Sequence, residues 1–262
     1  MKMKYLILIY LLCLSTFGIV ACIKQTPVST ISSHENDVEK LYDEGQKYLL
    51  GKEVTQDYSK AFQFIKQAAD AGLPIAQNNL GAMYMNSLGV QQDKEKAFYW
   101  IEKSANQNFA EAQYNLGVMY NQGFYVKRDR EKALELFKKS ADQNFAAAQF
   151  NLANAYLSGN GIAQDEKRAL ELYTKAADQD FARAQYNLAN AYADGTFVAK
   201  DEKKALGLYK KAADQNLPEA QYNLGLMYEK GFNDKVNAKH WYKKALENGI
   251  QQAEPELERL RE

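Results

Sequence analysis

Apolar positions between residues 38 and 252 recur three or four residues apart, the spacing of one helix face, and the whole pattern repeats every 36 residues. A 36-residue shift superimposes Ala76-Gln77, Ala112-Gln113, Ala148-Gln149, Ala184-Gln185 and Ala220-Gln221, each followed by Asn and Leu at fixed offsets. Leu80, Leu116, Leu152, Leu188 and Leu224 stand four residues before Tyr84, Tyr120, Tyr156, Tyr192 and Tyr228, which predicts a first helix in each unit. Between them lies Gly81, Gly117, Ala153, Ala189 or Gly225, small enough for a neighbouring helix to approach closely. A second helix follows, with an alanine, a large pair three and four residues on, and small residues beyond, as in Ala133, Leu136, Phe137, Ser140 and Ala141. The other large pairs are Phe64-Ile65, Trp100-Ile101, Leu172-Tyr173, Leu208-Tyr209 and Trp241-Tyr242, so the aromatic stripe reads as core.

Turn chemistry agrees with this period. Asp57, Asp93, Asp129, Asp165, Asp201 and Asp234 each stand four residues before the second-helix alanine, where a carboxylate caps the opening amides and favours the positive end of the helix dipole. These recurring acids are therefore read as caps and not as catalysts. Gly72, Asn108, Asn144, Asp180, Asn216 and Gly249 are residue types that tolerate the left-handed backbone of a helix stop. Each precedes an apolar residue, Leu73, Phe109, Phe145, Phe181, Leu217 or Ile250, expected to fold back on the last turn. Asn79, Asn115, Asn151, Asn187 and Asn223 recur so strictly that hydrogen bonds between units are expected of them.

The ends differ from the middle. The first unit keeps Tyr48, Gly51, Asp57 and Ala61 but has Glu44 in place of leucine, and reads as an N-terminal cap. Spacing from Ala205 to Ala238 falls to 33 residues, so the sixth inter-helix loop should be three residues shorter. Residues 253–262 restart a first helix, with Leu257 among Glu254, Glu256, Glu258 and Arg259, as suits a C-terminal capping helix that faces water on one side.

Ahead of the repeats, residues 1–21 have the layout of a secretory signal: Lys2 and Lys4, an apolar run Tyr5–Leu14, then small residues. Ile19-Val20-Ala21-Cys22 resembles a bacterial lipobox, which implies lipid on Cys22 and a membrane attachment through it. Ile23, in place of the aspartate that marks inner-membrane retention, points to the outer membrane of a bacterial envelope. Residues 22–37 are polar and lack period, and are expected to form a disordered tether that includes His34.

Charge narrows the function. With 33 basic and 33 acidic residues, nothing attracts nucleic acid. The two cysteines, Cys13 and Cys22, leave the repeats without a disulfide or a cysteine metal site. His240 is the single histidine in the repeats, placed on a second helix where it reads as a surface residue. No phosphate-cradling loop, zinc-helix motif or serine elbow occurs, so no catalytic, cofactor or metal residue is expected and the chain is not read as an enzyme.

Leu116-Gly117-Val118-Met119-Tyr120 followed by Ala133-Leu134-Glu135-Leu136-Phe137 resembles the tetratricopeptide pattern, although the 36-residue period exceeds that family's. With the connecting segments Gly159–Asp165 and Gly89–Asp93, the six repeats resemble the Sel-1-like repeat (SLR) family. The resemblance implies an all-α fold, a right-handed α-solenoid of six helix-turn-helix repeats with the C-terminal capping helix. It also implies an interaction scaffold for a protein or peptide partner. A cysteine-rich SLR branch would imply a cell-wall or β-lactam-acting enzyme, but no repeat here holds a cysteine. A passive structural tether is the remaining alternative. By analogy with tetratricopeptide grooves, the inner surface would be formed by first helices and lined by Tyr42, Tyr114, Phe150, Tyr186 and Tyr222, with Asn121, Asn154 and Asn190 beside them. Departures from the repeat at Asn78, Arg183 and Lys230 are expected to set specificity.

Overall fold

The structure, a computed structural model, describes residues 33–260, with side chains from Asp37 onward. The leader, Cys22 and most of the expected tether lie outside the described residues. Contacts divide the chain into two compact units at Gln143 and Asn144. Every regular element among the described residues is helical.

The first unit holds α1 (Ser33–Leu50), α2 (Tyr58–Asp70), α3 (Pro74–Asn86), α4 (Lys94–Asn106), α5 (Ala110–Gln122) and α6 (Arg130–Asp142). The second holds α7 (Ala146–Ser158), α8 (Glu166–Asp178), α9 (Ala182–Asp194), α10 (Glu202–Asp214), α11 (Pro218–Leu226), α12 (Lys235–Glu247) and α13 (Ala253–Arg259). Odd-numbered helices are the expected first helices and even-numbered ones the second. Helix α1 opens at Ser33, ahead of the start expected at residue 38, so the last residues assigned to the tether are helical.

Each pair is closed by its small residue. A Cβ on Gly81 would lie 2.6 Å from Ile101 Cγ1 and 2.9 Å from the Ala97 carbonyl, and one on Gly225 would lie 2.6 Å from the Tyr242 ring. The helices are thus at contact distance, and the buried Ile65, Leu80, Ile101 and Met119 in the first unit, or Tyr173, Leu224 and Tyr242 in the second, fill the seams. Burial of each such side chain contributes about 1.5–3 kcal/mol.

Each capping aspartate works twice. The carboxylates of Asp57, Asp93, Asp129, Asp165, Asp201 and Asp234 accept the N–H three residues on, at 2.9–3.0 Å. The backbone N–H of the same residue donates to the tyrosine carbonyl that ends the first helix, as from Asp129 to Tyr120 at 3.0 Å, which fixes the loop length. In the sixth repeat Asp234 donates to Tyr228 at 2.8 Å, and α11 runs into a π-helical turn, Met227–Gly231. Asp234 follows Tyr228 by six positions, whereas Asp129 follows Tyr120 by nine, so the loop is shorter by the expected three.

The second-helix stops adopt the expected left-handed backbone, with φ of 62° at Asn108, 59° at Asp180, 64° at Asn216 and 101° at Gly72. The next residue folds back, as Leu217 N–H donates to Ala212 at 3.2 Å and Ile250 N–H to Ala245 at 2.9 Å. Helix α13 packs on α12 through Ala253 and Leu260, while Arg259 binds Glu229 and Glu256, each at 2.6 Å.

Candidate binding surface on the first helices

In the second unit, repeat register brings Phe150, Tyr186 and Tyr222 onto one stripe of α7, α9 and α11, and Asn154 and Asn190 one turn further on; all are half-buried. Each ring is backed by the tyrosine of its own second helix: Phe150 by Tyr173 with centroids 5.9 Å apart, Tyr186 by Tyr209 at 6.0 Å and Tyr222 by Tyr242 at 5.7 Å. The Tyr173 hydroxyl donates to Asn154 Oδ1 and the Tyr209 hydroxyl to Asn190 Oδ1, both at 2.5 Å. Asn223 Nδ2 extends the chain, donating to Asn190 Oδ1 at 3.2 Å and to the Tyr186 hydroxyl at 3.4 Å. That bond between successive first helices is the role expected of the recurring asparagines. Burial pushes the Tyr209 hydroxyl up to about 12 and raises that of Tyr173, so both remain protonated donors at neutral pH.

In the first unit the same register is closed. Tyr42 and Tyr114 are buried, and the Tyr114 ring packs against Phe137 at 5.8 Å. Asn121, at the end of α5, is half-buried. Asn79 Nδ2 donates to the Tyr42 hydroxyl at 2.8 Å, the expected bond between units. Asn78, expected to set specificity, is 0 % exposed. Its Nδ2 donates to Glu111 at 3.1 Å and its Oδ1 accepts from Asn115 at 2.9 Å, so it forms a core contact and reads no ligand. Arg183 and Lys230 are exposed, as a specificity role requires. Gln46, in the register of Asn154 and Asn190, is buried with no partner for either amide atom.

The glutamines of the recurring Ala-Gln dipeptides, which repeat position alone gives no role, are structural. Gln77, Gln113, Gln149, Gln185 and Gln221 are all buried. Each accepts from the amide that ends its own second helix: Gln107 to Gln77 at 2.7 Å, Gln143 to Gln113 at 2.7 Å, Gln215 to Gln185 at 2.8 Å and Asn248 to Gln221 at 2.9 Å. Gln113 and Gln185 also donate to the left-handed residue just before their helix, Asn108 at 3.0 Å and Asp180 at 3.1 Å. One amide thereby ties three pieces of chain together. Its invariant 36-residue recurrence was the available signal.

The half-buried strip offers carboxamides that donate and accept beside aromatic faces, chemistry suited to an extended peptide backbone with apolar side chains. His240 is exposed on α12, its ring edge-on to Trp241 at 5.1 Å. Among the described residues no group of three His, Cys, Asp or Glu is placed to hold a metal, and no helix is long and apolar enough to cross a membrane.

Stacked helix pairs with capped turns and amide-tied junctions define an α-solenoid of helix-turn-helix repeats. A Sel1 repeat model matches residues 45–73, 74–109, 110–145, 146–181, 182–217 and 218–250, and the chain belongs to the Sel1 repeat family. Its structure is similar to a Sel1 repeat protein from Oxalobacter formigenes, 34% identical over 83% of this chain and 91% of that one, with TM-score 0.77. It is also similar to a protective antigen with an SLR fold present in uropathogenic Escherichia coli, 31% identical over 87% of this chain, with TM-score 0.71. This chain spans 50% of that antigen's length. A Sel1 repeat protein from Klebsiella pneumoniae is 25% identical over 77% of this chain and 99% of that one, with TM-score 0.52. A search of curated proteins found no match. Sel1 repeat proteins are generally protein-interaction scaffolds and generally non-enzymatic.

Proposed function

We propose that this chain is a bacterial envelope lipoprotein that serves as a docking scaffold, with an extended segment of a partner protein bound along the first helices of its second unit. The observation that carries this reading is the half-buried strip of Phe150, Tyr186 and Tyr222 with Asn154 and Asn190, the two amides held in place by hydroxyls of the second helices. A rigid aromatic and amide strip loses little side-chain freedom when a peptide binds. Lipid on Cys22 would keep the scaffold at the outer membrane, because two or more acyl chains at about 0.8 kcal/mol per buried methylene hold a protein stably. Residues 23–32 would then connect anchor and repeats.

Affinity capture from an envelope fraction tests the docking role. The intact chain should retain discrete proteins that Tyr186→Ala and Asn190→Ala lose while their far-UV circular dichroism is unchanged. Retention of nothing above background, or of the same proteins by every variant, would count against the strip.

A further inference from the structure

The third repeat carries a second candidate surface, on its inter-helix loop. Residues 127–132 hold four cations, Lys127, Arg128, Arg130 and Lys132, against Asp129 and Glu131; the matching segments 91–96 and 163–168 hold two of each sign. Asp129 is committed to capping α6 through the Lys132 N–H at 3.0 Å. Lys132 turns away from that carboxylate and donates Nζ to the Tyr120 hydroxyl at 2.7 Å, its ammonium 4.3 Å from the ring centroid. Lys127, Arg128 and Arg130 are exposed and make no ion pair among the described residues. With Tyr120, Val126, Asp129 and Glu131 they line an open depression of about 540 Å³.

An exposed aromatic ring stands in the same loop as these charges. Tyr125 is 48% exposed, one of the few large apolar side chains left in solvent among the described residues. Tyr125 has a left-handed backbone, φ 65°, at a place filled by Gly89 and Gly161 in neighbouring repeats and by Glu53 in the first. A side chain with a Cβ is unfavourable there, and the ring that this costly conformation presents has its neighbour in Phe98, 5.7 Å away, which also packs against Tyr120 at 6.0 Å. Neither the fold of the loop nor the core requires an exposed tyrosine, since glycine serves the same turn elsewhere.

We infer that this patch is a docking surface for an acidic, extended segment of a partner protein, with carboxylates on Lys127, Arg128 and Arg130 and apolar side chains against Tyr125. Charge complementarity selects the occupant: guanidinium pairs suit planar carboxylates, and a flat ring in the same loop accepts the apolar residues between acids. The proposal adds a site to the scaffold reading and rests on that reading for the existence of a partner.

The test uses the full chain and a fluorescein-labelled peptide of repeating Glu-Glu-Leu, followed by anisotropy, with Lys-Lys-Leu as control. The acidic peptide should bind, weaken as salt rises, and lose about tenfold or more in affinity when Lys127, Arg128 and Arg130 are all changed to alanine. Tyr125→Gly should weaken binding several-fold, on the order of one ring contact, while raising the thermal unfolding midpoint, which separates loss of the ring from loss of fold. Equal binding of the basic peptide, or binding indifferent to these variants, would overturn the proposal. So would variant-sensitive binding of phosphatidylglycerol vesicles without peptide binding, which would make the patch a membrane contact. If Tyr186→Ala abolishes envelope capture while the Lys127, Arg128 and Arg130 variant behaves as the parent in both assays, the scaffold reading stands and this one falls.

Discussion

Changing Gln185 to Glu tests the glutamine tie where a neighbouring charge makes its sign unambiguous. Gln185 is 0 % exposed, and its Nε2 donates to the Ala177 carbonyl at 3.2 Å and to Asp180 Oδ1 at 3.1 Å while Oε1 accepts from Gln215 at 2.8 Å. Glutamate keeps the acceptor but sets a second carboxylate against Asp180 and a carbonyl, an unpaired buried charge that costs about 3–5 kcal/mol. Asp180→Asn in the same chain supplies an amide that can turn its N–H groups toward the new carboxylate, leaving a cost of about 1–2 kcal/mol. Asp180→Asn alone should be within about 0.5 kcal/mol of the parent, since Asn108 and Asn144 form the same turn with φ of 62° and 65°. The cycle therefore predicts a coupling of about 2 kcal/mol. The new carboxyl has a folded pKa raised above its unfolded one, so its penalty is absent below the unfolded value and develops as pH rises through the folded value. Repeat arrays need not unfold in one step, so amide exchange in α8 and α9 should accompany urea titration. Additive single and double variants, or a Gln185→Glu penalty independent of pH, would refute the assignment.

Four further outcomes follow from the same contacts. Gly81→Ala should cost about 1–3 kcal/mol by overpacking against Ile101 and the Ala97 carbonyl. Gly207→Ala, exposed within α10 with nothing within 4 Å of the new Cβ, should instead stabilise by about 1 kcal/mol in the same urea titration. Asp129→Ala should cost about 1 kcal/mol and speed amide exchange in the first turn of α6. Backbone N–H donors hold Asp93 and Asp201 below the ordinary carboxylate range, so their contribution is present above the unfolded pKa and is lost as pH falls through the folded value; a stability titration should show that acid-side loss weakened in the Asp93→Asn, Asp201→Asn chain.

Caps, stops and the shortened sixth loop were legible in the sequence because each is a local matter, settled by one or two residues at a fixed offset. Asp234 and Gly249 could be assigned without any knowledge of what the helices pack on. The buried polar contacts were not legible in this way. Asn78 looked like a surface variation because other repeats carry an aromatic there, yet its partners Glu111 and Asn115 stand 33 and 37 residues away on the next first helix. The glutamines look like surface residues by polarity, and their burial follows only once Gln107 or Gln215 is placed against them. Of the candidate strip, repeat register identified the aromatic and amide positions, but their exposure depends on packing: Phe150 and Tyr186 are half-buried whereas Tyr114 is closed. Tyr125 escaped notice because its left-handed backbone becomes visible only in the folded loop.

The docking claim is tested most directly in living cells, with a photo-crosslinking amino acid placed at Tyr186 or Asn190 and, as control, at exposed Lys210 on the second helix α10. The account predicts a discrete protein adduct from the two first-helix positions and none from Lys210. Adducts of equal yield from all three positions, or none from any, would contradict it.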